Sequence, residues 1–458
     1  MRAVLTRDEM RAADAAALAH VTYETLVTRA GTAVAVAALR MLGGAYGRRV
    51  VVVSGKGSNG ADGRVAAHVL ARRGAKVVVL DASDTPGALP ACDLVIDGAY
   101  GTGFKGTYDA PAPPAGTPVL AIDIPSGVDA DSGEASGAAV RADRTVTFAA
   151  LKPGLLQGDG PACSGEVEVA DIGIAYPTPA AMVVEDADLA GLPRRARDGN
   201  KWNHAVGIAA GSPGMEGAAI LSARGAMAGG AGMIRLGSPG DPAADWPVEA
   251  VRMHLPGSGW AGPFLEATAK CKAVVIGPGL GTDAVRADDI RTVVAAAPVP
   301  LVIDADALTA LGDAGAARTL LDKRSAPSIL TPHDGEYARI AGAPPGIDRL
   351  AAARSLAEST GAIVLLKGPL TAVASPNGVL PDVLLSGAGV PALATAGSGD
   401  VLSGIIGAFC ARGEPAQEAA ALAAHAHGRA ASLGHEEGLV AGDLPGLVAR
   451  VLSAVAGG

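Results

Sequence analysis

The sequence predicts an α/β protein of two domains, each built around a parallel sheet. Length is the first reason: 458 residues exceed the size at which one hydrophobic core usually stops growing. Patterning is the second. Short Val- and Ile-rich runs without alternation interleave with helical stretches, as strands do when a parallel sheet is buried on both faces. Third, the 63 glycines fall in tight clusters between those runs and not in a low-complexity tract.

The first series has strand candidates at 50–54, 76–80, 94–97, 119–124 and 144–148, with helical periodicity over 7–19, 23–42 and 63–73. The second places strands at 205–210, 233–236, 273–276, 301–304, 328–330, 363–367 and 371–374. Its helices are expected over 218–228, 305–311, 335–341, 349–359, 401–411 and 416–433. Between the series lie Pro177, Pro179, Pro193 and a charged cluster from Arg194 to Asp198. Domains are therefore expected at 1–175 and 199–458, with 176–198 as linker.

Composition excludes several classes. With 49% hydrophobic but only 3% aromatic residues, the cores must be built from Ala, Val, Leu and Ile. A net charge of -9 without any basic block disfavours nucleic acid as a partner. No stretch reaches the ~18 uninterrupted apolar residues of a membrane span. The N-terminus is amphipathic and carries acidic residues, unlike a signal or transit peptide. A cytoplasmic protein without a membrane partner is expected. Cys92, Cys163, Cys271 and Cys410 are scattered, as befits small buried hydrophobes in a reduced compartment.

The segment LATAGSGDVLSG (393–404) concentrates the chemistry. Ala396, Gly397, Ser398 and Gly399 have little side chain, so their N–H groups are expected to turn inward around an anion. The apolar run from Val401 then starts a helix whose positive end faces the same place. Asp400, at the junction, reads as a general base or as the helix cap. Further groups stand at other strand ends, the usual ligand edge of a parallel sheet. They are GPGLG (277–281), Asp304 and Asp306 in VIDADAL, His333 in TPHDGE, and KGPLT (367–371). Asp304 reads equally as a ligand contact or a cap. An anion cradle, a carboxylate and a lysine are the parts of phosphoryl transfer, where positioning and charge neutralisation dominate. No P-loop signature occurs.

Six motifs in order resemble those of the ADP-dependent NAD(P)H-hydrate dehydratases: GSPGMEGAA (211–219), GPGLGTD (277–283), VIDADAL (302–308), ILTPHDGEYARI (329–340), LLKGPLT (365–371) and TAGSGDVLSGII (395–406). The resemblance implies a ribokinase-like α/β fold, with hydrated NADH or NADPH restored at the expense of ADP, giving AMP and phosphate. The substrate hydroxyl is phosphorylated, and phosphate leaves as the ring regains its double bond. Carried over, Asp400 contacts that hydroxyl and acts as base, while the amides of Gly397, Ser398 and Gly399 stabilise the transferred phosphoryl. Gly399 and the strand end Lys367, Gly368, Pro369, Leu370 and Thr371 meet the nucleotide. Ala218, Gly279 and His333 line the hydrated dinucleotide site. Mg2+ with ADP, and a homo-oligomer, are also implied. The chain departs from the family at Ala396, usually glycine, and at Asn200–His204, usually His-Lys-Gly-like.

In the first half, GKGSNGADG (55–63) follows a strand and holds Asn59 and Asp62 on a glycine-rich turn. Its spacing is not the dinucleotide fingerprint, which argues against an ordinary dehydrogenase. Asp97 and Asp123 stand at two further strand ends, in DGAYGTGF (97–104) and IDIPSG (122–127). Converging carboxylate, hydroxyl and amide oxygens suit a cation plus an acid/base pair, or three helix caps.

These residues, with the stretch 119–174, resemble the NAD(P)H-hydrate epimerase domain, which implies a Rossmann-like three-layer α/β/α fold over nearly all of 1–175. By that resemblance Asn59, Asp97 and Ser126 hold K+. Ser58, Asn59, Gly60, Ala61 and Asp62, the loop Gly101, Thr102, Gly103, Phe104, Lys105, Gly106 and Thr107, and Asp123 bind the hydrated cofactor. Asp123 handles the proton. The family's NNGGD-like run reads SNGAD here, and Ala61 carries a Cβ that resists φ > 0. The combined expectation is a bifunctional repair enzyme: one domain interconverts the epimers of NADHX and NADPHX, the other dehydrates one of them with ADP. The rival is a sugar or vitamin-precursor kinase carrying a non-catalytic first module.

Overall fold

Runs of β-branched residues favour extended backbone, and in the N-terminal half they form one six-stranded sheet. The computed structural model describes residues 1–242 and 245–456. The chain divides into two units, Arg2–Ala180 and the part from Ala181 onward together with Met1.

In the first unit β1 (Arg2–Val4) precedes α1 (Arg7–Leu18) and α2 (Tyr23–Leu42). Then follow β2 (Arg49–Ser54), α3 (Ser58–Arg72), β3 (Lys76–Asp81), β4 (Leu94–Gly98), β5 (Val119–Ile122), β6 (Arg144–Phe148), α4 (Gly160–Ser164) and β7 (Glu166–Ala170). The sheet order is β3-β2-β4-β5-β6-β7, parallel throughout. One face, with Val50, Val52, Ile96 and Ile122, packs on Val34 and Ala38 of α2 and Leu70 of α3. The other, with Val51, Val53, Val95 and Val119, packs on Leu89, Phe104, Tyr108 and Val140 from loops. By length and composition α2 is apolar enough to cross a membrane, yet Ala30, Val34, Ala35 and Ala38 belong to this core.

The second unit contains β8 (Ala181–Val183), β9 (Ala205–Ala209), α5 (Glu216–Ala228), β10 (Met233–Pro239), β11 (Ala250–Leu255), α6 (Ala261–Ala267), β12 (Ala273–Ile276) and α7 (Ala284–Ala296). It continues with β13 (Leu301–Ile303), α8 (Asp306–Leu311), α9 (Ala314–Leu321), β14 (Ser328–Leu330), α10 (Asp334–Ala341), α11 (Arg349–Thr360), β15 (Ile363–Leu366), β16 (Thr371–Ala374) and β17 (Val383–Ser386). Last come α12 (Ser398–Ala411), α13 (Ala416–Ala431) and α14 (Leu444–Ala456). The order is β8-β17-β16-β15-β14-β13-β12-β9-β10-β11, with β16 antiparallel to both neighbours. Residues 181–183, inside the expected linker, are thus a strand paired with β17.

Helix α12 carries eleven buried residues from Val401 to Ala411 and packs backbone to backbone on α5. A Cβ at Gly404 would lie 2.0 Å from the Ser222 carbonyl oxygen, and one at Gly225 2.2 Å from that of Val401. Alanine is the better helix former by about 1 kcal/mol, so propensity alone favours Gly404→Ala. Overpacking opposes it and wins: the variant is expected to lose about 1–3 kcal/mol, read as a lower urea midpoint. An unchanged or raised midpoint would contradict the close α5–α12 contact.

Candidate active sites

In the first unit the carboxyl ends of β2, β4 and β5 bring the polar groups together. Helix α3 starts at Ser58, not at the expected residue 63, so SNGAD is its first turn. Its N-cap, Gly57, supplies no side-chain bond. The amides of Ser58, Asn59 and Gly60 therefore have no partner within the helix, while Ala61 N donates to Gly57 O at 3.1 Å. Ala61 sits in ordinary helical backbone, and the expected conflict with φ > 0 does not arise. Gly60 is the position without room, since a Cβ there would lie 1.9 Å from the Gly55 carbonyl oxygen.

Asn59, Asp97 and Ser126 meet around Tyr100. Asn59 Nδ2 donates to the carbonyls of Tyr100 (3.0 Å) and Ile122 (2.6 Å). Ser126 Oγ accepts from Tyr100 N at 2.9 Å and donates to Asp97 Oδ1 at 2.7 Å. Asp97 also accepts from Ser126 N and Ala99 N. Burial pushes Asp97 up to about 6, against the pull of the Ser126 and Ala99 hydrogen bonds. Among the described residues no group of three or more His, Cys, Asp or Glu side chains forms a metal centre. This cluster offers hard oxygens instead, the donor chemistry that suits an alkali cation.

Asp123 lies just past β5 at φ 65. Its Oδ1 accepts from Thr147 Oγ1 at 2.9 Å and from Lys152 Nζ at 2.5 Å. Lys152 is 1% exposed and also donates to Thr147 Oγ1 and the Phe148 carbonyl. Asp123, Lys152, Asp14, Asp62, Ser58, Asn59 and Thr102 line one cavity of about 230 Å³. Burial, reinforced by the Asp123 carboxylate, pushes Asp62 up to about 8 and raises Asp14 as well. The glycine at 101 lies against the Asn59 amide. Gly103, Lys105, Gly106 and Thr107 are exposed and Phe104 lies in the opposite core. These five do not line the cavity. Lys152, Thr147 and Asp14 escaped the sequence reading, for no motif marks them.

In the second unit Asp400 lies in the first turn of α12, which starts at Ser398. The cap is Gly397, at φ 87 and without a side-chain bond, so Asp400 is not the cap. Ser398 turns its hydroxyl to the Leu393 carbonyl at 2.9 Å and its amide to Thr395 O. The Gly399 and Asp400 amides are left without an intrahelical acceptor. Behind them stands an ion pair whose carboxylate is buried. Lys367 Nζ donates to Asp304 Oδ1 at 2.7 Å, and Ser403 Oγ donates to Asp304 Oδ2 at 2.6 Å. Asp304 is thus neither a helix cap nor an open ligand contact. Lys367 Nζ would lie 3.3 Å from a Cβ at Gly399. Burial works against the Lys367 charge, but Asp304, Glu336 and Asp400 hold its pKa above the ordinary lysine value. Burial, then Asp304, push Asp400 up to about 7 against the pull of Lys367.

The turn Lys367–Thr371 joins β15 to β16. Arg349, absent from the expected set, fixes it by donating to the carbonyls of Lys367 and Leu370; Leu370 itself is buried. Ala218 and Gly279 touch: a Cβ at Gly279, which has φ 62, would lie 2.9 Å from Ala218 Cβ. Ser212 Oγ donates to the Gly279 carbonyl at 2.9 Å, and Asp306 accepts from Gly281 N at 2.8 Å. His333 caps α10: its Nδ1 accepts from Gly335 N at 3.0 Å, and Glu336 accepts from His333 N at 2.9 Å. Its imidazole is 59% exposed.

A mostly parallel sheet whose glycine-capped helix presents free amides and a carboxylate beside a lysine defines a ribokinase-like unit, here joined to a Rossmann-like one. Residues 206–453 match the family described as NAD(P)H-hydrate dehydratase. Residues 23–88 and 81–154 match the YjeF-related protein N-terminus. The bifunctional NAD(P)H-hydrate repair enzyme of Mycobacterium leprae is 38% identical over 97% of this chain and 96% of its own length. That of Mycobacterium tuberculosis is 39% identical over 92% of each. The chain belongs to this family of bifunctional NAD(P)H-hydrate repair enzymes. Among solved structures, the ADP/ATP-dependent NAD(P)H-hydrate dehydratase of Bacillus subtilis, co-crystallised with ATP and Mg2+, is 28% identical with a TM-score of 0.50. It covers 59% of this chain and 97% of its own. A ribokinase-like superfamily protein of Enterococcus faecalis, 21% identical with a TM-score of 0.51, shares the fold over 62% of this chain and 99% of its own.

The pKa of Asp400 gives a test of its burial. Its folded value of about 7 lies above the ordinary 3.8, so the unfolded chain gives up this proton first. The associated stability is full below 3.8 and is lost as pH rises toward 7. Asp400→Asn removes that loss. Its thermal midpoint is expected to exceed the unsubstituted protein's above neutral pH, by about 2–4 °C per kcal/mol relieved, and to converge with it in acid. Equal midpoints throughout would show a solvated carboxyl.

Proposed function

We propose that the N-terminal unit exchanges the (R) and (S) epimers of NADHX and NADPHX. The C-terminal unit then dehydrates (S)-NAD(P)HX with ADP, giving NAD(P)H, AMP and phosphate. The observation that carries the reading is Asp400, a half-buried carboxylate with a near-neutral pKa in the first turn of a helix whose end no side chain caps.

With that pKa, Asp400 accepts the proton of the substrate hydroxyl as its oxygen attacks the terminal phosphorus of ADP. The Gly399 and Asp400 amides and the helix end offset the charge of the transferred phosphoryl. Lys367 adds a cation whose position Asp304 fixes. The turn Lys367–Thr371 and Gly397–Gly399 hold the nucleotide; Ala218, Gly279 and the open edge of His333 border the dinucleotide. Mg2+ is expected on the nucleotide phosphates, where it neutralises charge; the Bacillus relative's co-crystallisation with ATP and Mg2+ supports this.

In the first unit Asp123 and Lys152 are the acid/base pair. Thr147 and Lys152 occupy Oδ1, leaving Oδ2 to move the proton at the hydrated carbon's hydroxyl. Asn59, Asp97 and Ser126 are the proposed K+ ligands; a cation held there would tie the first turn of α3 to the end of β4 and the loop after β5. The free amides of Ser58–Gly60 suit the pyrophosphate.

Joining the two activities follows from stereochemistry, because a dehydratase specific for one epimer strands the other. Racemic NADHX with ADP, Mg2+ and K+ is expected to return completely to NADH, followed by its absorbance. Asp123→Asn and Lys152→Met should stop recovery near half. Asp400→Asn should abolish NADH formation while epimer exchange persists. Folded protein that forms no NADH with ADP or ATP would overturn the reading.

A further inference from the structure

The loop-covered face of the N-terminal sheet encloses a second cavity, of about 320 Å³, within the range of small-molecule sites. It shares no lining residue with the Asp123 cavity. Its floor is Val53, Val95 and Val119, and its cover is Leu89, Val140 and a strap from Tyr108 to Pro113. The strap is fixed in place by the fold. Tyr108 N donates to Ser136 O at 3.1 Å, Ala110 N to Ala138 O at 2.9 Å, and Ala112 N to Gly87 O at 2.8 Å.

Three polar side chains reach this space, Asp97, Tyr108 and Arg141. The Asp97 oxygens are already engaged by Ser126 and Ala99. Tyr108 is 8% exposed, and its hydroxyl is buried with no hydrogen-bond partner among the described residues. Buried hydroxyls are nearly always satisfied, and the rest of the wall is Val, Leu, Ala and Pro apart from Arg141. Burial, with Asp97 and Tyr100, raises the Tyr108 pKa, so the group stays protonated and can donate.

We infer that this cavity binds a small, uncharged, mostly apolar molecule with one hydrogen-bond acceptor, of the size of an aromatic amide, held by the Tyr108 hydroxyl. A carboxylate of the same shape is disfavoured because at the Tyr108 hydroxyl it would lose its hydration among apolar walls, while Arg141 is exposed and its guanidinium donates to the Ala162 carbonyl. The inference does not depend on the repair reading.

Benzamide is the probe, titrated calorimetrically into the full chain. Saturable one-to-one binding is expected. Tyr108→Phe removes a hydroxyl that has no protein partner, so the fold should survive while affinity falls about three- to tenfold. Ala110→Phe, which fills the cavity from the strap, should abolish binding in protein whose circular dichroism is unchanged. Asp123→Asn should leave affinity unaltered, and benzoate should bind at least about tenfold more weakly. Absence of saturable benzamide binding would overturn the proposal. So would a Tyr108→Phe variant with full affinity, or an Asp123→Asn variant without any.

Discussion

A carboxylate kept from water organises the C-terminal site. Asp304, 1% exposed, follows β13 and holds Lys367 from the end of β15 and Ser403 from α12. Taking one charge out of water costs several kcal/mol unless it is paired and hydrogen-bonded. Asp304 therefore locks three segments into a single arrangement. The charge it retains is felt by Asp400, whose proton becomes harder to lose. After burial, Asp400 thus inherits part of its raised pKa from a contact behind it. Ser403, which looks like filler in a helix of small residues, is part of that inheritance.

The N-terminal unit uses a lysine–carboxylate pair in the opposite way. There the paired carboxylate is itself the cavity wall. β5 ends at Ile122, and the next residue, Asp123, takes left-handed backbone that L side chains seldom adopt. Such conformations cost of order 1–3 kcal/mol and persist where surrounding contacts over-determine them. Thr147 and Lys152 supply those contacts from β6 and just beyond it. In one unit the pair stands behind Asp400; in the other it lines the cavity itself.

What the sequence revealed depended on how burial writes itself into it. Central strands such as β12 and β14 were legible because a strand covered on both faces reads as an unbroken apolar run. β11, whose Arg252 and His254 interrupt the pattern, sits at the sheet's edge and was not legible. α7 was hidden by Arg286, Asp288, Asp289 and Arg291 in its middle. The starts of α3 and α12 were placed several residues late because glycine caps carry no side-chain signal and glycine clusters read as turns. Asp97 and Asp123 stood out as carboxylates at strand ends, and Asp400 as one where a glycine-rich loop becomes a helix. Lys152 did not, because only the fold brings it to Asp123 across 29 residues. His333 was legible as an exposed polar residue, while its work as a helix cap came from the geometry around Gly335 and Glu336.

The glycine caps at 57 and 397 have a thermodynamic meaning. Most helices complete their first turn with a Ser, Thr, Asp or Asn side chain, as α1 and α2 do here with Thr6 and Thr22. α3 and α12 lack that internal partner, and under the proposed function an anionic ligand would finish them instead. Phosphate groups bound there would act as the missing cap residues of the protein's own secondary structure. Affinity at these places and local helix stability become one quantity: whatever saturates the amides also anneals the turn that carries Asp62 or Asp400.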